Sequence, residues 1–93
     1  MLALITAGAS AIGTAMTRAL AGAGYKVAFT HLGQGPQAAA LVADLPGTRA
    51  WESDAGDPDH VTRFHAEAAD WAGCAPRVLV NNAGIQTWSS LLD

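Results

Sequence analysis

Leu2-Ala3-Leu4-Ile5-Thr6-Ala7-Gly8-Ala9-Ser10-Ala11-Ile12-Gly13 is the stretch that decides the fold. Its first five residues are a short apolar run, which reads as a buried strand. Gly8 to Ala11 are all small and make a turn. From about Ala11 the bulky residues Ile12, Met16 and Leu20 recur every four positions, so the spacing predicts a helix with those three on one face. Gly22 and Gly24 end it, Gly24 as a left-handed cap. A strand, a turn of small residues and a helix make a unit that can hold a phosphate. The first helical turn has free N–H groups and the positive end of the helix dipole, and the small turn lets backbone approach the ligand. Gly8 and Gly13 frame the turn, and Ser10 adds a hydroxyl donor inside it.

The same alternation continues outward. Val27 to Thr30 is a second short strand. Gly33, Gly35 and Pro36 break the chain, and Pro36 suits the first turn of a helix that runs through Leu41, Val42 and Leu45 to Pro46-Gly47. Thr48 to Ser53 is a third strand containing Trp51. Asp57-Pro58-Asp59 reads as a helix start, with a capping acid, a proline at the first helical position and a second acid at the positive end. Val61, Phe64, Ala68 and Trp71 then follow at helical spacing. Gly73 to Pro76 is a turn, Arg77 to Asn81 a fourth strand, Asn82-Ala83-Gly84 a loop, and Trp88 to Asp93 the start of another helix. Strands alternating with helices predict a parallel sheet covered by helices, an α/β Rossmann-like arrangement with strand order 3-2-1-4. Residues 1–93 form one domain, expected to be incomplete and truncated at its C-terminus.

Composition narrows the class. The chain has 93 residues, a formal net charge of −3, 51% hydrophobic and 14% charged residues. An apolar content this high argues against disorder. The acidic balance and the lack of a Lys/Arg cluster argue against nucleic acid as a partner. The single cysteine, Cys74, excludes an internal disulfide framework and a cysteine-based zinc site. Alanine and glycine make up a third of the residues, so little area is buried per side chain and the stability of 93 residues alone is limited. Residues 1–17 carry no charged side chain, but no Lys or Arg precedes the apolar stretch, and Thr6, Gly8, Ser10, Gly13 and Thr14 interrupt it. A secretory signal or a membrane span is therefore not expected, and the location expected is cytoplasmic.

Gly8 and Gly13 also have the glycine spacing of a nucleotide-triphosphate P-loop, but that loop needs Lys next and the chain has Thr14. The second motif is Asn81-Asn82-Ala83-Gly84, at the carboxyl end of the fourth strand. In open parallel sheets, ligands lie beyond the carboxyl ends of strands. With strands one and four as neighbours, both motifs open onto one crevice.

These residues resemble the short-chain dehydrogenases/reductases. Thr6 to Gly13 looks like that family's Thr-Gly-x-x-x-Gly-Ile-Gly cofactor loop, with Ala7 and Ala11 at two of its three glycines. Asn81 to Gly84 matches the family's Asn-Asn-Ala-Gly motif in full. Asp54, just after the third strand, stands where the family has an Asp that contacts adenine. The resemblance covers essentially the whole chain. It implies that Ala7, Gly8, Ala9, Ser10, Ile12 and Gly13 line the pyrophosphate, Ser10, Ile12 and Gly13 most directly. It also implies that Asp54 and Ala55 face the adenine, and that Asn82, Ala83 and Gly84 face the ribose. The family's oxidoreductases move hydride between NAD(P)(H) and a carbonyl or secondary alcohol, using Ser, Tyr and Lys, the last two as Tyr-x-x-x-Lys. Here the lone tyrosine, Tyr25, is followed directly by Lys26, so no catalytic residue is assigned. A carbonyl substrate is expected only for a full-length form. The alternative is a non-catalytic nucleotide- or partner-binding module, or an inactive truncation product.

The departures set further expectations. Ala7 cannot take a positive φ cheaply, and the methyl of Ala11 crowds the phosphate turn, so cofactor binding should be weak. His31 stands at the end of strand two, where an acid would accept hydrogen bonds from the ribose and favour NAD. No acid lies between Tyr25 and Val42, which leans to NADP, although no arginine is near to grip its extra phosphate. His31 is either a cofactor contact or an ordinary surface histidine. His60 and His65 are five apart on one helix and read as solvated rather than metal-binding. Cys74 reads as structural or incidental, and Trp51, Phe64, Trp71 and Trp88 as packing residues. The uncovered edge of strand four, Val78-Leu79-Val80, is expected to drive self-association.

Overall fold

The computed structural model describes residues 1–82. Four strands alternate with three helices: β1 (Leu2–Thr6), α1 (Ala11–Gly22), β2 (Lys26–His31), α2 (Gly35–Asp44), β3 (Thr48–Glu52), α3 (Pro58–Ala72) and β4 (Pro76–Asn81). The sheet order is β3-β2-β1-β4, and every pairing is parallel. The expected alternation and strand order are therefore present. The expected loop residues Ala83 and Gly84, Trp88, and the helix expected from Trp88 to Asp93 lie outside the described residues.

The sheet is covered on both faces, and the strand alternation sorts side chains between them. Ile5, Val27 and Phe29 point to the α1–α2 side, where Ala38 and Leu41 are buried and Met16, Leu20 and Val42 pack against them. Leu2, Leu4 and Ala28 point to the α3 side, against Phe64 and Ala68, with Trp51 and Trp71 at the margin. Trp51 meets Phe64 and Trp71 edge to face, at centroid distances of 5.5 and 5.9 Å. The aromatic residues of β3 and α3 are thus packing residues. β1 is buried along its whole length, as the middle of a covered parallel sheet must be.

One helix face differs from the sequence expectation. The residues of α1 that are buried are Gly13 and Thr17, with Met16 and Leu20 half-buried beside them. Ile12 is 56% exposed. The stripe against the sheet is 13-16-17-20, one position on from the 12-16-20 series. The reason is proximity: α1 begins so close to β1 that only the smallest residues fit between them. A Cβ on Gly13 would run into the Ala7 carbonyl oxygen and lie 2.7 Å from Gly8 Cα. Thr17 fills the next turn and donates its hydroxyl to Gly13 O at 2.8 Å.

The helix boundaries follow local chemistry. Ser10 caps α1 by accepting from Gly13 N, and Gly24 takes φ 93° just past its end. Asp57 caps α3 by accepting from Asp59 N, and Gly73 closes it at φ 72°. Among the described residues, no helix is long and apolar enough to cross a membrane.

Candidate functional site

The turn after β1 is organised around the carbonyl oxygen of Ala7. Ala7 adopts φ 57°, the left-handed region that L side chains other than Asn and Asp seldom occupy. That turn aims its C=O along the sheet's carboxyl edge. The oxygen accepts from Ser10 N at 3.2 Å, from the Ser10 hydroxyl at 2.8 Å and from Asn82 Nδ2 at 3.2 Å. Its own N–H goes to the Thr30 hydroxyl of β2 at 3.1 Å, and Gly8 N goes to Thr30 O at 2.8 Å. The alanine therefore does take the glycine-like conformation, held there by partners on three sides.

Gly8 must be glycine for a separate reason. A Cβ there would sit 2.5 Å from Phe29 Cβ, inside the core of β2. Ala9 is buried with the α1–α2 core. Ser10 Oγ accepts from Gly13 N at 3.1 Å and from Asn82 Nδ2 at 2.9 Å while donating to Ala7 O. Asn82 is fully buried, so its amide spans from the end of β4 to both Ala7 and Ser10. This side chain joins the two sequence motifs. Among the described residues its Oδ1 has no hydrogen-bond partner. Thr6 adds a second tie, its hydroxyl lying 3.4 Å from Val80 O and 3.3 Å from Asn81 Oδ1.

The residues that face outward are few. Ala11 and Ile12 are exposed at the start of α1. Their N–H groups precede the first residues that can bond within the helix, and among the described residues no turn carbonyl receives them. The result is a rigid, small-residue turn with free amides at a helix N-terminus, an arrangement that fits an anionic phosphate. The residues present thus suit a dinucleotide pyrophosphate.

The other expected contacts lie along the same edge. His31 ends β2 and is buried, 8% exposed, so the surface alternative does not hold. Its Nδ1 accepts from Gln34 N at 3.3 Å, which places the ring under the β2–α2 turn. Asp54 and Ala55 follow β3 in an exposed turn in which Asp54 Oδ1 accepts from Gly56 N at 2.9 Å. His60 is partly exposed, its side chain 41% accessible, yet it also bonds the backbone. Its Nδ1 accepts from Asp54 N at 3.0 Å, and its Nε2 lies 3.7 Å from Asp57 Oδ2. The signal was present in the sequence. The third residue of a helix capped by Asp57 points back toward the segment before the cap. His65 instead packs its ring edge to face on Phe64 at 6.0 Å. Cys74 is exposed and unpaired. Among the described residues, no group of three metal-ligating side chains comes together.

Comparison with known proteins agrees with this geometry. The short chain dehydrogenase family matches over residues 1–93. No curated protein sequence matches the chain. Among solved structures, a short-chain dehydrogenase/reductase from Serratia marcescens superposes with a TM-score of 0.83 at 27% identity, over 87% of this chain and 34% of that one. A blue fluorescent protein from a metagenomic library, in complex with NADPH, superposes with a TM-score of 0.79 at 33% identity, over 84% of this chain and 34% of that one. The chain thus spans about a third of the length of these structures. With the family match running the full 93 residues and the two motifs joined at Asn82, the chain belongs to the short-chain dehydrogenase/reductase family, whose nucleotide-binding region it represents.

Proposed function

We propose that this chain binds the pyrophosphate, ribose and adenine of a nicotinamide dinucleotide, and that the whole protein is an oxidoreductase acting on a carbonyl or secondary alcohol. The observation that carries the reading is the Ala7–Ser10–Asn82 cluster, which holds the α1 amides free at the carboxyl edge of the sheet. Ala7, Gly8, Ala9, Ser10, Ile12 and Gly13, with Ser10, Ile12 and Gly13 foremost, lie along the pyrophosphate. Asp54 and Ala55 bound the adenine, and Asn82, Ala83 and Gly84 the ribose. Bound there, the dinucleotide would supply or accept the hydride. The residues of this chain bind and orient it and carry out no proton transfer.

NADP(H) is the preferred cofactor in this reading. His31 ends β2 where an acid would repel the 2′-phosphate, and no acid lies between Tyr25 and Val42. A cytoplasmic location accords with the single cysteine. Titration of the 93-residue chain with NADPH and NADH by calorimetry tests the assignment. Weak binding is expected, NADPH at least as tight as NADH, with Ala11→Gly tightening both. A clear preference for NADH overturns the cofactor choice, and binding of neither overturns the site.

A further inference from the structure

We propose that His60 is a positioning residue for the Asp54–Gly56 turn: its neutral imidazole holds the turn in the shape that meets adenine, and protonation of the ring releases it. The proposal rests on the dinucleotide reading above and adds a control element to it. It starts from the hydrogen bond of Asp54 N to His60 Nδ1, at 3.0 Å. A ring nitrogen that accepts carries no proton, so in the neutral ring the proton sits on Nε2. That atom faces Asp57 Oδ2 at 3.7 Å.

The turn's other bonds run within it and to Asp57, the N-cap of α3. Asp54 Oδ1 accepts from Gly56 N at 2.9 Å, and Asp57 N donates to Asp54 O at 3.0 Å. These fix the turn's own shape. The His60 bond ties that shape to the body of α3, whose Phe64 is buried against the sheet. His60 thus connects a segment with few packing contacts to one that is locked in the core.

Protonation reverses the bond. Nδ1 gains a hydrogen and becomes a donor, so two donors face each other at 3.0 Å and the Asp54 amide must turn away. The charged groups around the ring are Asp54 and Asp57 before the helix, Glu52 on β3, and Arg63 and Glu67 on α3, the last three lining a cleft with His60. An imidazolium would keep its contact with Asp57 and lose the one with Asp54 N. The reversal is looked for between pH 8 and pH 5.

The test uses ADP-ribose as the probe, because it has no phosphate monoester to titrate in that range. His60→Asn places a carbonyl oxygen near the Nδ1 position, an acceptor that does not titrate, whereas His60→Leu removes the acceptor. Affinity measured by calorimetry from pH 8 to pH 5 should fall about three- to tenfold for the wild type, the value of one hydrogen bond. It should stay flat and close to the wild-type pH 8 value for His60→Asn, and be weak at every pH for His60→Leu. A merely structural histidine would give three parallel pH profiles, and that result overturns the proposal. The Asp54 amide is read separately by hydrogen exchange in the ligand-free chain. Its protection should drop in His60→Leu and be restored in His60→Asn. Equal protection in all three overturns the proposal. If wild type fails to bind ADP-ribose while Asp54 protection follows this pattern, the dinucleotide reading falls and the hold of His60 on the turn stands.

Discussion

Replacing Ser10 by alanine tests whether the phosphate turn and the end of β4 are one unit. The hydroxyl takes part in three bonds, and each loss has a different weight. The cap on Gly13 N, at 3.1 Å, contributes about 1 kcal/mol. The bond from Asn82 Nδ2, at 2.9 Å, is made by a fully buried amide that water cannot reach in its place. Losing that acceptor costs about 1 kcal/mol, the low end for a buried donor, because Nδ2 keeps its bond to Ala7 O. The bond from the hydroxyl to Ala7 O weighs little, since Ser10 N and Asn82 Nδ2 still donate to that oxygen. The expected loss is about 2 kcal/mol, or roughly 8–16 °C in Tm for a domain of this size. Thermal unfolding by circular dichroism, with urea titration alongside, measures it. Ser10→Thr should retain most of the stability. In an Asn82→Ala background, Ser10→Ala should cost only the cap, about 1 kcal/mol, leaving a coupling of about 1 kcal/mol. A Tm shift under about 3 °C, or strictly additive effects, would refute the reasoning.

Three other outcomes are expected. Ala7→Gly should relieve a left-handed alanine, worth about 1–2 kcal/mol, against about 0.5–1 kcal/mol of extra unfolded-state freedom. The urea midpoint should therefore rise slightly, and a fall would mean that φ 57° carries no strain. The 93-residue chain should not consume NADPH with any ketone above a buffer control, because hydride transfer leaves an oxyanion that needs a positioned proton donor. Turnover that survives removal of contaminants would contradict this. The chain should self-associate. Among the described strands β4 pairs with β1 alone, and its Leu79 is 56% exposed, which leaves an apolar edge. A single monomeric species in size-exclusion chromatography with light scattering would argue the opposite.

β1, β2 and β4 were legible because each holds a short apolar run, whereas β3, with Arg49 and Glu52 in it, was marked mainly by Pro46-Gly47 before it and Asp57-Pro58 after it. Asp57-Pro58 and Gly73 mark α3 at both ends, and the structure places its caps there. The α1 face was misread at Ile12 because periodicity ranks residues by size. Packing at this joint selects for smallness, and Gly13 and Thr17 carry no hydrophobic signal. Ala7 was read as unable to turn left-handed at low cost. The sequence could not show that Thr30, Ser10 and Asn82 all converge on its peptide groups. The two motifs were expected to share a crevice, but the Asn82 amide that bridges them depends on a distance no pattern encodes. His60 and His31 were under-read for a similar reason. Each accepts from a backbone N–H, and such a bond depends on where the main chain passes.

The link between Asn82 and Ser10 also bears on how the molecule is made. The two residues are 72 apart in sequence, whereas β1 meets β2 across about 24. Closing the longer loop costs about 1 kcal/mol more in chain entropy, and long-range parallel pairing is slow to form. On a ribosome, β1, β2 and β3 are available to pair long before β4 has been synthesised. The turn after β1 can then exist as a loop with Ala7 unanchored, because Asn82 has not yet been added to the chain. The Ala7 turn is therefore locked only when β4 arrives, and any nascent piece ending short of Asn82 has the sheet's first three strands but lacks the amide that locks the Ala7 carbonyl in place.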